Sequence, residues 1–165
     1  MKLKLFHDIF DRRVRPLETL EYLAETGGTA EHWHELGMAY FQRLKFHLAA
    51  EAFGRAVQLA PQNLEAHFYR GITLSIMGKF GQAIEDFSEV LRRQPDHFAA
   101  LYNRGRLLAR LRRYEEAIAD FRRAMQLDPT RAKELNVPTA VRTMQRRLEG
   151  RPERWWDRLR DLVNR

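Results

Sequence analysis

The chain has 165 residues, of which 44% are hydrophobic and 31% are charged, and this mixture favours a folded core over a disordered chain. It contains no cysteine, which excludes disulfides, thiolate metal sites and cysteine nucleophiles. The formal net charge of +7 lies in the second half, mostly on arginine; this asymmetry suits an acidic partner and equally suits solvated helices.

Neither a membrane span nor a secretory signal is apparent. No apolar run reaches the roughly 18–20 residues that a spanning helix needs. Charges interrupt the apolar stretch at the amino terminus too early for a signal peptide. We therefore expect a cytoplasmic protein without a membrane partner.

Residues 1–29 carry two helical apolar stripes separated by Pro16. A stack of helices leaves apolar faces uncovered at both ends, so this segment is predicted to form N-terminal capping helices that stop at Gly27 and Gly28. A degenerate fourth repeat, slipped by one residue, and an interfacial membrane helix are the alternatives. The first stripe consists of Phe6, Ile9, Phe10 and Val14, and the second of Leu17, Leu20, Leu23 and Ala24.

From residue 30 onward the sequence repeats with a period of 34 residues. Five kinds of position recur at this spacing in three successive repeats, which chance does not explain. The five columns are Gly37, Gly71 and Gly105; Ala49, Ala83 and Ala117; Phe53, Phe87 and Phe121; Pro61, Pro95 and Pro129; and Phe46, Phe80 and Tyr114.

Each repeat is predicted to form two helices, A and B, joined by a short turn, because apolar residues in both halves recur with helical period. A glycine inside helix A costs roughly 1 kcal/mol relative to alanine, so its recurrence indicates close packing. We expect Gly37 to face Ala49 of helix B, with Phe53 beside that contact. The prolines should end helix B, and Asn63 and Asp96 should cap the following A helices.

The first repeat resembles a tetratricopeptide repeat, since it matches all eight signature positions of that family. The second repeat departs from the signature at His67, Arg70, Leu74 and Val90 but keeps its small residues and its proline. The resemblance implies an all-α fold: a right-handed superhelical solenoid of antiparallel helix pairs, with repeats at 30–63, 64–97 and 98–131 and capping helices at both ends. The eight positions are Trp33, Leu36, Gly37, Tyr40, Ala49, Phe53, Ala56 and Pro61.

The resemblance also implies a function, the binding of a peptide or protein segment in a concave groove lined by the A helices. The corresponding positions are apolar and aromatic in the middle, acidic toward the first repeat and basic toward the third, which suits a partner with apolar and acidic character. The charges of the chaperone-tail clamp found in some family members are missing, so we expect no clamp of that type. The groove residues are expected to be His34, Met38, Phe41, Phe68, Tyr69, Ile72, Ile76, Tyr102, Asn103, Arg106 and Arg110.

Residues 132–165 are predicted to form arginine-rich C-terminal capping helices, with a break or kink at Pro138. The last helix, residues 153–163, carries Trp155, Trp156 and Leu159 on its apolar side. These side chains could cover the end of the solenoid, dock a partner, or mediate self-association into a homo-oligomer. The same helix could instead occupy the chain's own groove.

No catalytic constellation is apparent, and we expect a non-catalytic scaffold or adaptor without a cofactor, a metal or a small-molecule substrate. His32 and His34 are two residues apart and point to different sides of a helix, unlike the zinc ligands of the HExxH pattern. Nucleic-acid binding through the arginine-rich half is the main alternative. It is disfavoured because Asp120, Glu149 and Asp157 are interleaved with the arginines, as is typical of exposed, ion-paired helices.

Overall fold

The computed structural model describes residues 16–150, and this part of the chain is helical apart from its connecting turns. The predicted all-α class is confirmed. Helices α2, α4 and α6 are the A helices of the three repeats, and α3, α5 and α7 are the B helices. The described helices are α1 (Leu17–Glu25), α2 (Ala30–Gln42), α3 (Phe46–Leu59), α4 (Leu64–Ile76), α5 (Phe80–Arg93), α6 (Phe98–Arg110), α7 (Tyr114–Leu127), α8 (Pro129–Glu134) and α9 (Val137–Glu149).

The chain divides into two compact units, Met1–Asp86 and Phe87–Arg165, and the boundary falls within α5. In the first unit α2 packs along α3, α3 packs against α4, and α1 packs against α2. In the second unit α6 packs along α7, which also contacts α8 and α9. Because the turns that join α2 to α3 and α6 to α7 are short, each pair is antiparallel.

Helix α1 contributes to the core of the first unit. Its Leu20 and Ala24 are buried in the same apolar cluster as Leu36 of α2. The hydroxyl of Tyr40 donates a hydrogen bond of 2.6 Å to Glu21 Oε1. Burial, together with this hydrogen bond, raises the pKa of Tyr40 to about 12. The apolar stripe that follows Pro16 in the sequence therefore forms a helix that is tied to the first repeat by both apolar and polar contacts.

Helices α8 and α9 complete the described part of the second unit. Helix α7 ends at Leu127, and Pro129 begins α8, with Asp128 as its capping residue. Pro138 lies in the first turn of α9, where a proline disturbs no helical hydrogen bond. The break predicted at Pro138 is thus a junction between two helices, which the left-handed Asn136 permits.

The capping of the A helices was predicted correctly at one of two positions. The side chain of Asn63 accepts a hydrogen bond from the first turn of α4, as expected. The expectation for Asp96 is wrong, because α6 begins at Phe98 and the capping position is one residue later. His97 accepts the backbone hydrogen bond there through Nδ1, and Asp96 instead accepts a hydrogen bond of 3.0 Å from Arg123.

The regular spacing of the helix A glycines reflects contact with an aromatic ring. A Cβ atom at Gly37 would lie 2.6 Å from Cδ1 of Phe53, and one at Gly105 would lie 2.9 Å from Cε1 of Phe121. The nearest atoms thus belong to the phenylalanine, and the expected facing partner, Ala49, is not among them. The phenylalanine rings are buried in the space that the missing glycine side chains leave.

In the second repeat a buried ion pair explains two of the four departures from the family signature, His67 and Arg70. Arg70 and Asp86 lie one 34-residue period after Leu36 and Ala52. Arg70 donates two hydrogen bonds to the Asp86 carboxylate, from Nε at 2.8 Å and from Nη2 at 2.6 Å. His67, at the tryptophan position, places Nδ1 2.9 Å from the same carboxylate. A polar network has therefore replaced the apolar contact that the first repeat makes at these positions.

The third repeat contains the same ion pair. Arg104 donates to Asp120 from Nε at 2.8 Å and from Nη2 at 2.7 Å, and to Ser88 Oγ at 3.0 Å. Such a two-pronged pairing fixes the guanidinium plane as well as its charge. The hydrogen bond to Asp120 raises the pKa of Arg104 further above its usual value. Helices α6 and α7 are therefore joined by a polar contact that lies beside their apolar core.

The turn between helices A and B places a left-handed residue at the same point in each repeat. The φ angle is 59° at Leu44, 77° at Gly78 and 61° at Arg112, and these residues are 34 apart. Glycine adopts this conformation freely, whereas other L residues do so at a steric cost. The first turn therefore holds a leucine where the second has the glycine that the backbone favours.

Candidate peptide-binding surface

The residues that the sequence assigns to a groove lie on α2 and α4 in the first unit and on α6 in the second. Other residues of α2 and α4, on different sides of these helices, are buried, among them Leu36, Ala66 and Leu74. The candidate residues are more accessible, so a partner could touch them. His34, Met38, Phe41, Phe68, Tyr69, Ile72, Tyr102 and Asn103 are half-buried, and Ile76, Arg106 and Arg110 are exposed.

In the first unit an aromatic cluster supports this surface. The ring of His34 meets Phe53 edge-on with a centroid distance of 5.6 Å and Tyr69 edge-on at 5.8 Å. Phe53 and Tyr69 are stacked at 6.0 Å, and Phe68 meets Tyr69 edge-on at 5.7 Å. Aromatic pairs in these geometries hold one another in place beyond the effect of burial. The surface on α2 and α4 is therefore backed by rings of fixed orientation.

His34 is the titratable group of this cluster. Burial lowers its pKa below the usual value near 6.5, and this effect exceeds the opposing attraction of Glu65 and Glu35. At pH 7 the imidazole is therefore neutral. A neutral ring suits a surface that contacts apolar side chains.

We expect His34 to titrate below pH 6.5. Because the folded state prefers the neutral ring, its contribution to stability is present above pH 6.5 and is lost as the pH falls through the lowered pKa. The nuclear magnetic resonance titration of the histidine ring protons measures this, with the signal assigned by its loss in His34→Gln. A midpoint at or above 6.5 would show that the ring is more hydrated than its contacts indicate.

In the second unit, arginine side chains lie over the aromatic rings of the surface. Tyr102 is stacked on Phe98 at 6.4 Å and is tilted against Phe121 at 6.1 Å. The Arg106 guanidinium lies 5.5 Å from the centre of the Tyr102 ring, and that of Arg131 lies 4.7 Å from the Phe98 ring. Cation–π contacts orient a guanidinium while leaving its N–H groups able to bind a carboxylate. The surface on α6 thus combines an aromatic base with positive charge.

Sequence reasoning missed Phe98 and Arg131 as parts of this surface. Phe98 precedes Tyr102 by four residues and therefore lies on the same side of α6, a signal that could have been used. Arg131 belongs to the next helix, α8, and no spacing rule relates it to Phe98. Asn103, one of the predicted groove residues, donates through Nδ2 to the Ala99 carbonyl of its own helix at 2.9 Å.

Several arginines away from this surface are paired with carboxylates. Arg92 and Arg93 both contact Glu89, and Arg113 contacts Glu116. A hydrogen bond from Arg92 and a smaller contribution from Arg93 lower the pKa of Glu89 to about 2. These are i,i+3 and i,i+4 pairs on exposed helix faces. Much of the positive charge near α5 and α7 is therefore locally compensated.

Residues 16–150 contain neither a metal-binding cluster nor a membrane-spanning helix. No three histidine, aspartate or glutamate side chains in this range are grouped so that they could hold a metal ion. No helix in the same range is both long and apolar enough to cross a membrane. The predicted first apolar stripe, Phe6 to Val14, and the predicted docking residues Trp155, Trp156 and Leu159 lie outside the described residues.

Paired antiparallel helices with a 34-residue period define the class of helical repeat proteins. Family models for the tetratricopeptide repeat match residues 30–63 and 77–132, which together make up more than half of the chain. The chain belongs to the tetratricopeptide repeat family. The stretch between the two matches, residues 64–76, is the whole of α4, where His67 and Arg70 replace signature residues. Proteins of this family are typically non-catalytic interaction modules.

Solved structures of the same fold include proteins that bind peptides. The first TPR of Spaghetti (RPAP3), bound to the HSP90 peptide SRMEEVD, is 22% identical, with a TM-score of 0.66 over 74% of this chain and 94% of that chain. YrrB, a TPR protein with an unusual peptide-binding site, is 25% identical, with a TM-score of 0.68 over 74% and 64%. MamA 41-end from Desulfovibrio magneticus RS-1 is 20% identical, with a TM-score of 0.71 over 81% and 74%. No curated protein matches the sequence.

Proposed function

We propose that this protein is a non-catalytic adaptor that binds a segment of another protein through the exposed faces of its A helices. The observation that carries this proposal is the stripe of Phe68, Ile72 and Ile76 on α4. These residues are four apart and lie on one side of the helix, yet two are only half-buried and Ile76 is 51% exposed. Large apolar side chains that the fold leaves accessible in a row indicate an interaction surface.

The charges on the same faces define the chemistry of the partner. In the second unit, exposed Arg106 is held over Tyr102, and Arg110 follows one turn later on α6. A guanidinium group that is held over an aromatic ring can bind a carboxylate through its N–H groups. The α4 stripe of the first unit therefore suits large apolar side chains of a partner, and the α6 surface of the second unit suits an Asp or Glu. The peptide complex of the first TPR of RPAP3 and the peptide-binding site of YrrB are consistent with this use of the fold.

Nucleic-acid binding is less well supported as an alternative. A phosphate-binding face needs arginines that are available to the phosphates. In the described part of the chain, Arg70 and Arg104 are engaged in buried ion pairs, and Arg113 and Arg123 are engaged in exposed ones. Carboxylates next to these arginines would repel a polyanion.

Reversing the charge of Arg106 should weaken partner binding by about one order of magnitude, because a carboxylate would then face a carboxylate. The measurement is affinity capture of partners by the full chain from nuclease-treated native lysate, with quantitative mass spectrometry of wild type and Arg106→Glu. Arg142→Glu, an equal charge change on α9, is the matched control and should keep the partner. Equal recovery by wild type and Arg106→Glu would remove the support for this surface, and loss of recovery on nuclease treatment would favour nucleic acid.

A further inference from the structure

An apolar cavity of about 380 Å³ opens beside the turn between α2 and α3. It is lined by residues 44–48 together with Ile76 and Met77. Leu44 is 72% exposed, Leu48 is 40% exposed and Ile76 is 51% exposed. The cavity therefore gathers three large aliphatic side chains that the fold does not cover. Of its lining residues, only Ile76 belongs to the A-helix surface proposed above.

Leu44 is unfavourable at its position for two independent reasons. Its backbone is left-handed, with a φ of 59°, where the next repeat has Gly78. Its side chain also exposes hydrocarbon to water, whereas Arg112, at the same point in the third repeat, exposes a charged group. The stability of the fold would favour glycine at residue 44. The strain and exposure of this leucine, at the mouth of a cavity, motivate the binding role proposed below.

The cavity mouth carries a positive charge on Lys45, which suits an acidic ligand. Lys45 and His47 are exposed members of the lining, and the lining contains no carboxylate. The volume lies near the lower end of the roughly 300–1,000 Å³ typical of ligand pockets. It accommodates one or two large side chains of a peptide. An apolar side chain next to a carboxylate would satisfy both the aliphatic walls and the basic rim.

We propose that this cavity docks a short peptide segment of a partner protein that carries a large apolar side chain beside an Asp or Glu. The site shares Ile76 with the A-helix faces, but its other lining residues lie outside them, and the proposal does not rest on the function proposed for those faces. It assigns to Leu44 and Leu48 the apolar contact and to Lys45 the contact with the carboxylate.

The test begins with a random peptide library displayed on phage. The library is selected on the immobilised full chain and is depleted on the Leu44→Gly variant, so that only peptides requiring Leu44 remain. We expect the enriched sequences to combine Leu, Ile, Phe or Trp with an adjacent Asp or Glu. If no such Leu44-dependent sequence is enriched, the proposal is wrong.

The affinities of a selected synthetic peptide for matched variants then separate binding from folding. Leu44→Gly should weaken binding roughly tenfold and should raise the melting temperature by about 2–4 °C, because glycine relieves the left-handed strain. Arg112→Gly, the same change at the equivalent turn, should raise the melting temperature without altering affinity. Lys45→Glu should weaken binding of the acidic peptide. A purely structural role for Leu44 predicts no change in affinity.

Two outcomes would overturn the proposal, because they would show that the peptide binds elsewhere or that the cavity has another occupant. If Arg106→Glu weakens the selected peptide as much as Leu44→Gly does, the peptide binds the A-helix face. If sedimentation velocity shows a dimer that Leu44→Gly dissociates, the occupant is a second copy of this chain. Because Leu44 lies outside the A-helix surface, failure of one proposal leaves the other unaffected.

Discussion

Replacing Asp120 by alanine should lower the free energy of unfolding by roughly 2–3 kcal/mol. Asp120 is 5% exposed, and its carboxylate accepts hydrogen bonds from Nε and Nη2 of Arg104. Without the carboxylate, a guanidinium whose side chain is only 25% exposed would lose its counter-charge in a site with little water. Urea unfolding followed by circular dichroism measures the loss.

The first repeat suggests how this loss can be reversed. The double variant Arg104→Leu/Asp120→Ala recreates the residues found at Leu36 and Ala52, so it should regain most of the lost stability. Asp96→Ala is the control for removing a carboxylate, because the Asp96 and Arg123 side chains are 60% and 49% exposed. We expect the control to cost no more than about 0.5–1 kcal/mol. If Asp120→Ala costs no more than the control, the buried pair does not stabilise the fold as described.

Replacing Gly37 by alanine should lower the free energy of unfolding by roughly 1–2 kcal/mol, although alanine is the better helix former. The new Cβ would lie 2.6 Å from the ring of Phe53, which is fully buried and cannot move into open space. The overlap therefore outweighs the gain in helix propensity. Thermal or urea unfolding of the single variant measures the net effect.

The other glycines provide a graded series for the same chemical change. A Cβ at Gly105 would be 2.9 Å from Phe121, a looser contact, so Gly105→Ala should cost less than Gly37→Ala. A Cβ at Gly54, inside α3, would meet only Arg70 Nη1 at 4.0 Å. Gly54→Ala should therefore raise the free energy of unfolding by up to about 1 kcal/mol. Equal effects at Gly37 and Gly54 would contradict the packing explanation.

The helix pairs could be predicted from the sequence because each repeat offers the same information again. One glycine in a helix is ambiguous, but Gly37, Gly71 and Gly105 at one period indicate a common packing need. The accessible face of the A helices follows from the helical period, which separates Phe68 and Ile72 from buried Leu74. Local periodicity was sufficient for both inferences.

The polar contacts between helices could not be predicted in the same way. Arg70 and Arg104 keep the 34-residue period, as do Asp86 and Asp120, so the signal was present. Pairing them requires knowing which sides of helices A and B meet, and this depends on how the helices cross rather than on spacing. The left-handed turn had an even weaker signal, since Gly78 alone marks it and Leu44 does not.

The different side-chain pairs in successive repeats also bear on how the chain assembles during synthesis. Similar helices in tandem can exchange neighbours and trap misassembled intermediates. If α2 took α5 as its partner in place of α3, Leu36 would bury the carboxylate of Asp86 with no cation beside it, at a large energetic cost. The ionic contact of the second repeat therefore discriminates against helix exchange with the first, so that side chains as well as short loops keep the helices of these two repeats in order.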